Sequence, residues 1–164
     1  MQNVDGSTYF NQNWAAFKAG FGNVTANYWI GNDRRSNLSR GDGYRHYVEL
    51  QSSSNQLRFY AWYNTFTLGN ASTGYQLQVA GFRGTAGDSF KNVTTSVTNG
   101  MMFTTSDVNN DVYSSGNCIS NYEGGFWMNS YGENCLTGSG SFFFWNTLPP
   151  GPVLTTARMH LSRQ

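Results

Sequence analysis

Three stretches in the middle of the chain, residues 44–51, 56–68 and 75–82, are rich in Tyr, Val, Phe and Trp and read as β-strands. Only Ser52-Ser53-Ser54-Asn55 and Gly69-Asn70-Ala71-Ser72-Thr73-Gly74 separate them. Parallel neighbours need a crossover of about a dozen residues or more, so connectors this short predict an antiparallel meander. Ahead of it, Phe10, Trp14, Phe17 and Phe21 follow helical spacing, which predicts a helix over about 8–18 with Ser7 as N-cap and Gly20 or Gly22 as terminator. Residues 32–40 read as a second short helix, with Leu38 as its apolar contact and Gly41 as its stop. From Gly84 onward the pattern breaks into Gly, Ser, Asn, Thr and Asp, studded with Phe103, Tyr113, Tyr122, Phe126, Trp127 and Tyr131. Long irregular segments rich in aromatics are usually packed and often functional. Helix, then sheet, then an irregular lobe gives an α+β class.

Charge narrows the partners. Only 12% of the 164 residues are charged, against roughly 25% in ordinary globular chains. With a net charge of +1 and no basic run longer than Arg34-Arg35, the chain has no field for a phosphate backbone, and nucleic acid is not an expected partner. The longest apolar run, Phe142-Phe143-Phe144-Trp145, is far short of a membrane span, so no membrane insertion is expected. An aromatic share of 16% excludes disorder. Sequons at Asn23, Asn37, Asn70 and Asn92 make these the candidate glycosylation sites, although a chain this rich in Asn, Ser and Thr yields about four by chance.

Three groups of residues bear on chemistry. The run Asp107-Val108-Asn109-Asn110-Asp111 alternates side-chain oxygens, and carbonyls of Tyr113, Ser115 and Gly116 could complete an oxygen shell of the kind calcium takes. It is not an EF-hand loop, since Val112 and Cys118 replace the required Gly and Glu, and a plain Asx-rich turn is the alternative. Cys118 and Cys135 are two buried thiols in a reducing compartment, or a metal pair short of partners. In an oxidising compartment, the preferred reading, they close a disulfide worth roughly 3 kcal/mol. Tyr122, Phe126, Trp127 and Tyr131 between them either pack around that bridge or form a shallow pocket that stacks on sugar faces or receives an acetyl methyl. Asp107 with Asp111, or Glu123 with Glu133, could be proposed as a hydrolytic carboxylate pair, but nothing in their setting supports it. With no nucleophile elbow, metalloprotease motif or phosphate loop, the chain does not read as an enzyme.

The order of motifs is more specific than any one of them. Asp5-Gly6-Ser7, Trp14, Phe17-Lys18-x-Gly20-Phe21-Gly22, Tyr28-Trp29-Ile30-Gly31-Asn32-Asp33, Val48-Glu49-Leu50, Gly84-Thr85-Ala86-Gly87-Asp88-Ser89, Asn99-Gly100-Met101, Phe103-Thr104-Thr105, Asn117-Cys118 and Gly124-Gly125-Phe126-Trp127 follow one another. Together they resemble the fibrinogen C-terminal (fibrinogen-related) domain shared by ficolins, tachylectins, tenascins and angiopoietins, from about residue 2 to the strand holding Met159 and Leu161. The resemblance implies a twisted antiparallel sheet with short helices and an irregular carboxy-terminal lobe. It makes 1–164 one such domain lacking its amino-terminal subdomain.

It also implies particular residues. Calcium would be held by Asn109 and Asp111 with the carbonyls of Tyr113 and Ser115, weakened because Asn109 stands where the family has Asp. Cys118 would pair with Cys135, and the Asn117-Cys118 peptide would be cis, aiming backbone N–H groups at a ligand. Asn117, Cys118, Ile119, Tyr122, Phe126 and Trp127 are the ligand-binding set so implied. Leu136 replaces a usual His, the segment between Gly138 and Trp145 is shortened, and Pro152 replaces a usual Tyr, so the pocket is partly kept. The implied function is a secreted, lectin-like, pattern-recognition module of innate immunity. It would bind glycans or acetylated surface groups, with homo-oligomers adding avidity. The alternative is a tenascin- or angiopoietin-type module that binds an extracellular protein receptor.

Overall fold

The computed structural model describes residues 1–5, 8–41, 43–53, 57–91, 97–130, 134–148 and 153–163. The expected meander is its centre. Strand β4 (Tyr44–Ser52) pairs antiparallel with β5 (Arg58–Leu68), and β5 with β6 (Leu77–Gly84). Inward residues alternate along β4: His46, Val48 and Leu50 are buried, and opposite them on β5 lie Tyr63, Ala61 and Phe59. That two-residue period is the packing signature of a sheet with one covered face.

What the local pattern does not reveal is how the sheet is completed. Strands β1 (Gln2–Asn3), β2 (Phe21–Gly22) and β3 (Tyr28–Trp29) come from the first thirty residues, and β11 (Leu154–Arg163) from the last. The seven-stranded order is β2-β3-β1-β11-β4-β5-β6, so β11 lies between β1 and β4, with Met159 opposite Val48. Two small ladders build the irregular lobe: β7 (Phe103–Thr105) with β8 (Gly125–Trp127), and β9 (Asn134–Cys135) with β10 (Phe144–Trp145).

The first helix differs from expectation. A 3₁₀ turn covers Thr8–Phe10, and the α-helix α1 covers only Trp14–Ala19. Asn11-Gln12-Asn13 interrupts the helical period: the Asn13 side chain caps the helix by accepting the Ala16 N–H at 2.9 Å, and Asp107 Oδ1 accepts the Trp14 N–H at 2.9 Å. The proposed cap Ser7 lies outside the described residues. Gly20 ends α1 as expected, at φ +98° and with no room for a Cβ, which would lie 2.6 Å from Ile30 O. Helix α2 covers Asn32–Ser39, but Leu38 is not its core contact: it is 41% exposed, and the buried residues are Asn32, Arg35, Ser36 and Ser39.

An aromatic cluster joins sheet, helix and lobe. Phe103 lies 5.1 Å from Phe17, 5.7 Å from Trp29 and 5.0 Å from Trp127 between ring centres. The indole N–H groups are satisfied, Trp29 donating to Phe17 O and Trp127 to Tyr75 O. A second cluster packs Phe90 against Tyr63, Phe126 and Trp145, stacked on Phe126 and edge-on to Trp145.

Candidate functional site

The oxygen-rich loop 107–118 is held by its own side chains. Asn109 Oδ1 accepts the Asp111 N–H at 3.1 Å, Asp111 Oδ1 accepts the Tyr113 N–H at 2.9 Å, and Asp111 Oδ2 accepts the Cys118 N–H at 2.8 Å. Asn109 Nδ2 donates to Gly116 O, closing the loop. These are Asx turns, the plain alternative for such a run. The donor set is a poor one for a tight calcium shell, because it offers a single carboxylate. Among the described residues no cluster of three or more His, Cys, Asp or Glu stands ready for a metal.

The same loop forms one wall of an open concavity of about 730 Å³. Tyr113, Asn117, Tyr122 and Phe142 give it shape, with Ser115 and Asn121 adding polar groups. The Asn117 side chain caps the 3₁₀ turn Cys118–Asn121 by accepting the Ile119 N–H, and its amide donates to Thr105 O at 2.8 Å. That turn presents Tyr122. A second 3₁₀ turn, Gly140–Phe142, brings Phe142 edge-on to Tyr122 at 5.0 Å. Tyr122 O accepts the Ser139 N–H, and Glu123 accepts the Ser139 hydroxyl, so the two turns are tied together. Among the described residues, no carboxylate or ammonium lines this concavity.

Of the residues the resemblance points to, Asn117, Cys118 and Tyr122 line the concavity, joined by the metal candidates Tyr113 and Ser115. Ile119, Phe126 and Trp127 do not: all three are fully buried. Phe126 and Trp127 lie on β8, whose other strand brings them against the core, and Ile119 points inward from its turn. The Asn117–Cys118 peptide is trans, because no described peptide is cis, and the Cys118 N–H goes to Asp111 rather than to a ligand. Nor is the implied Cys118–Cys135 bridge made. Both residues are buried free thiols: Cys118 Sγ donates to Ser130 O, while Cys135 Sγ lies 3.8 Å from Thr137 Oγ1. Burial, then the Asp111 carboxylate, pushes the Cys118 thiol up to about 11, and burial pushes Cys135 to about 11 as well. Thiols so placed stay protonated and are poor nucleophiles.

Phe142 is the wall residue that sequence reasoning missed. In the run Phe142-Phe143-Phe144-Trp145, Phe143 and Trp145 are buried while Phe142, in the turn before the strand, is 40% exposed, a difference that four consecutive apolar residues do not reveal in sequence. The shortened segment therefore still supplies an aromatic. The carboxylates named for hydrolysis are occupied with structure. Asp107 accepts from Trp14 N and Thr105 Oγ1, Asp111 from two backbone N–H groups, and Glu123 from Ser139. Glu133, Tyr131 and Pro152 lie outside the described residues, as does the sequon Asn92; Asn23, Asn37 and Asn70 are exposed.

Comparison with known proteins agrees with this architecture. The family model for the C-terminal globular domain of fibrinogen beta and gamma chains matches residues 1–147. The chain belongs to that family. Among relatives of this fibrinogen-type domain, mouse angiopoietin-related protein 1 is 39% identical over 127 residues, covering 77% of the chain and 24% of the relative. Human fibroleukin is 34% identical over 155 residues, covering 89% of the chain and 35% of the relative. The chain thus spans about a quarter to a third of these relatives. The fibrinogen-like globe domain of human ANGPTL2 superposes with a TM-score of 0.87 at 31% identity, covering 99% of this chain and 77% of that one. Lamprey fibrin D-dimer, solved with the peptide ligand Gly-His-Arg-Pro-amide, gives 0.87 at 26% identity, covering 98% and 59%.

Proposed function

We propose that this fibrinogen-type domain is an extracellular, lectin-like recognition module whose concavity receives an uncharged polar group, such as the acetamido group of a glycan or an acetylated surface group. The observation that carries the reading is the uncharged lining: Tyr113, Tyr122 and Phe142 supply apolar faces, and Ser115, Asn117 and Asn121 supply hydrogen-bonding groups. Aromatic faces stack on the apolar side of a sugar or enclose a methyl, while amides and hydroxyls select for the polar side. An open concavity of this kind binds weakly alone, so homo-oligomers would supply avidity. The reading does not require calcium, because the concavity's shape is held by hydrogen bonds of the loop itself.

Retention on immobilised N-acetylglucosamine tests the proposal. Wild type is expected to be retained with or without a chelator, and Tyr122→Ala and Phe142→Ala to lose retention while remaining folded. Failure of the wild type to be retained in either condition overturns it.

Relatedness to angiopoietin-related proteins and to mouse tenascin, 33% identical over 154 residues, favours a second reading, binding of an extracellular protein. Binding of a protein partner that survives Tyr122→Ala, together with absent sugar binding, would select it.

A further inference from the structure

The main sheet gathers the chain's positive charge. Strands β4, β5, β6 and β11 contain five of the ten basic residues, Arg45, Arg58, Arg83, Arg158 and Arg163, and only Glu49 of the nine acidic ones. The rest of the chain holds the other five basic residues and eight carboxylates, so a net charge of +1 hides a basic sheet on an acidic body. Alternation sets the direction: with His46, Val48 and Leu50 buried on β4, Arg45, Tyr47 and Glu49 face outward. Register then aligns His160 of β11, Tyr47, Trp62 of β5 and Arg83 of β6 in one row across four strands. Arg158, Glu49 and Tyr60 form the next outward row.

Arg58 and Arg158 both meet Glu49 at 3.7 Å, with side chains 70% and 42% exposed. These are the two ion pairs among the described residues, so Arg45 and Arg83 have no carboxylate partner there. Both line an open concavity of about 360 Å³ with Tyr60, Trp62 and Asn64, which shares no lining residue with the concavity at Tyr122. The Arg45 guanidinium lies over the Trp62 ring, 5.6 Å from its centre, a contact that positions the cation without neutralising it. Tyr47 is stacked on Tyr60 at 6.0 Å and edge-on to Trp62 at 5.6 Å, and the Trp62 indole N–H donates to Asn64 Oδ1. The rings are thereby a fixed floor between the cations.

We propose that this outward face binds a sulfated linear polysaccharide, with a sugar ring against Trp62 and Tyr60 and its sulfates on Arg45 and Arg83. Guanidinium groups take oxyanions through paired, charge-assisted N–H bonds and give up water more readily than an ammonium does. A sulfated sugar carries its anion on the same ring as its apolar C–H groups, so one sugar uses an aromatic and an arginine together. Its repeat brings further sulfates to Arg58 and Arg158, whose exposed pairing with Glu49 is weak and exchangeable. An acidic peptide carries its charges on flexible stems and would leave the rings uncovered. A nucleobase stacks on a whole ring face, and here Arg45 already lies over Trp62 while Tyr47 and Tyr60 face each other.

Calorimetric titration with a size-defined heparin oligosaccharide, its desulfated counterpart, oligoglutamate and single-stranded oligothymidylate, at one ionic strength, tests the site. The heparin oligosaccharide is expected to bind with an affinity that falls as salt is raised, and the other three to bind more weakly by about tenfold or more. Arg83→Gln, at an exposed position, and Arg45→Gln should each weaken heparin binding by about tenfold, since each removes a charge-assisted contact. Lys18→Gln removes the same charge from an exposed position on α1 and should leave the affinity unchanged. Absent heparin binding, equal binding of the desulfated form, binding undiminished in either arginine variant, or a loss in Lys18→Gln as large as in Arg83→Gln overturns the site. Oligoglutamate binding as tightly as heparin overturns the saccharide in favour of an acidic protein, and oligothymidylate doing so overturns it in favour of nucleic acid. Should Arg45→Gln fail to fold, Arg83→Gln against Lys18→Gln still decides.

Discussion

At the scale of single residues, side chains whose types suggest chemistry mostly serve the backbone. Asp111 is the clearest case, a carboxylate placed like a metal ligand that instead gathers the Tyr113 and Cys118 N–H groups. Asp111→Ala should therefore cost about 1–3 kcal/mol in denaturant unfolding, and a chelator should leave the wild-type midpoint unchanged. His46 carries the pH dependence. Burial first, then the charge of Arg35, holds it well below 6.5. The folded chain thus refuses a proton that the unfolded chain accepts below about pH 6.5, and stability falls as pH drops through that range, by up to about 1.4 kcal/mol per pH unit for one proton. Urea melts from pH 7.5 to 5 should show a shallower decline in His46→Phe, a ring that keeps the stack on Phe66 at 4.4 Å. An unchanged slope would remove His46 from the account.

Among the elements, local propensity located the pieces and long-range contacts set their limits. Helix α1 begins at Trp14 because Asn13 and Asp107, ninety-odd residues away in sequence, meet its first N–H groups. Asn13→Ala should lower stability by about 1 kcal/mol, measured by thermal unfolding. Gly125 on β8 shows the opposite kind of constraint. A Cβ there would come 2.5 Å from Phe17 Cε2, so Gly125→Ala forces α1 away from the lobe and should cost about 1–3 kcal/mol. Helix α2 was placed by its polar starters, yet its buried stripe is polar and its Leu38 exposed. Hydropathy alone assigns the wrong face when a helix buries a charge between aromatic rings.

For the molecule as a whole, the lobe and the sheet share one core through Phe17, Trp29, Phe103 and Trp127. Trp127→Ala should therefore destabilise the whole fold by about 3–5 kcal/mol, whereas Phe142→Ala, at the surface, should spare stability and affect binding. Comparison of both variants by calorimetry and sugar retention separates core from wall. By itself the sequence determined the meander, the places of two short helices, the α+β class and the family, because two-residue alternation, short connectors and motif order are local properties of the chain. Only the tertiary structure decided that β11 enters between β1 and β4, that Ile119, Phe126 and Trp127 are core, that Phe142 is a wall, and that Arg35 lies buried among aromatic rings. Each of these depends on pairing between segments distant in sequence, and a strand's alternation or a helix's period states which residues share a face without stating which face is covered.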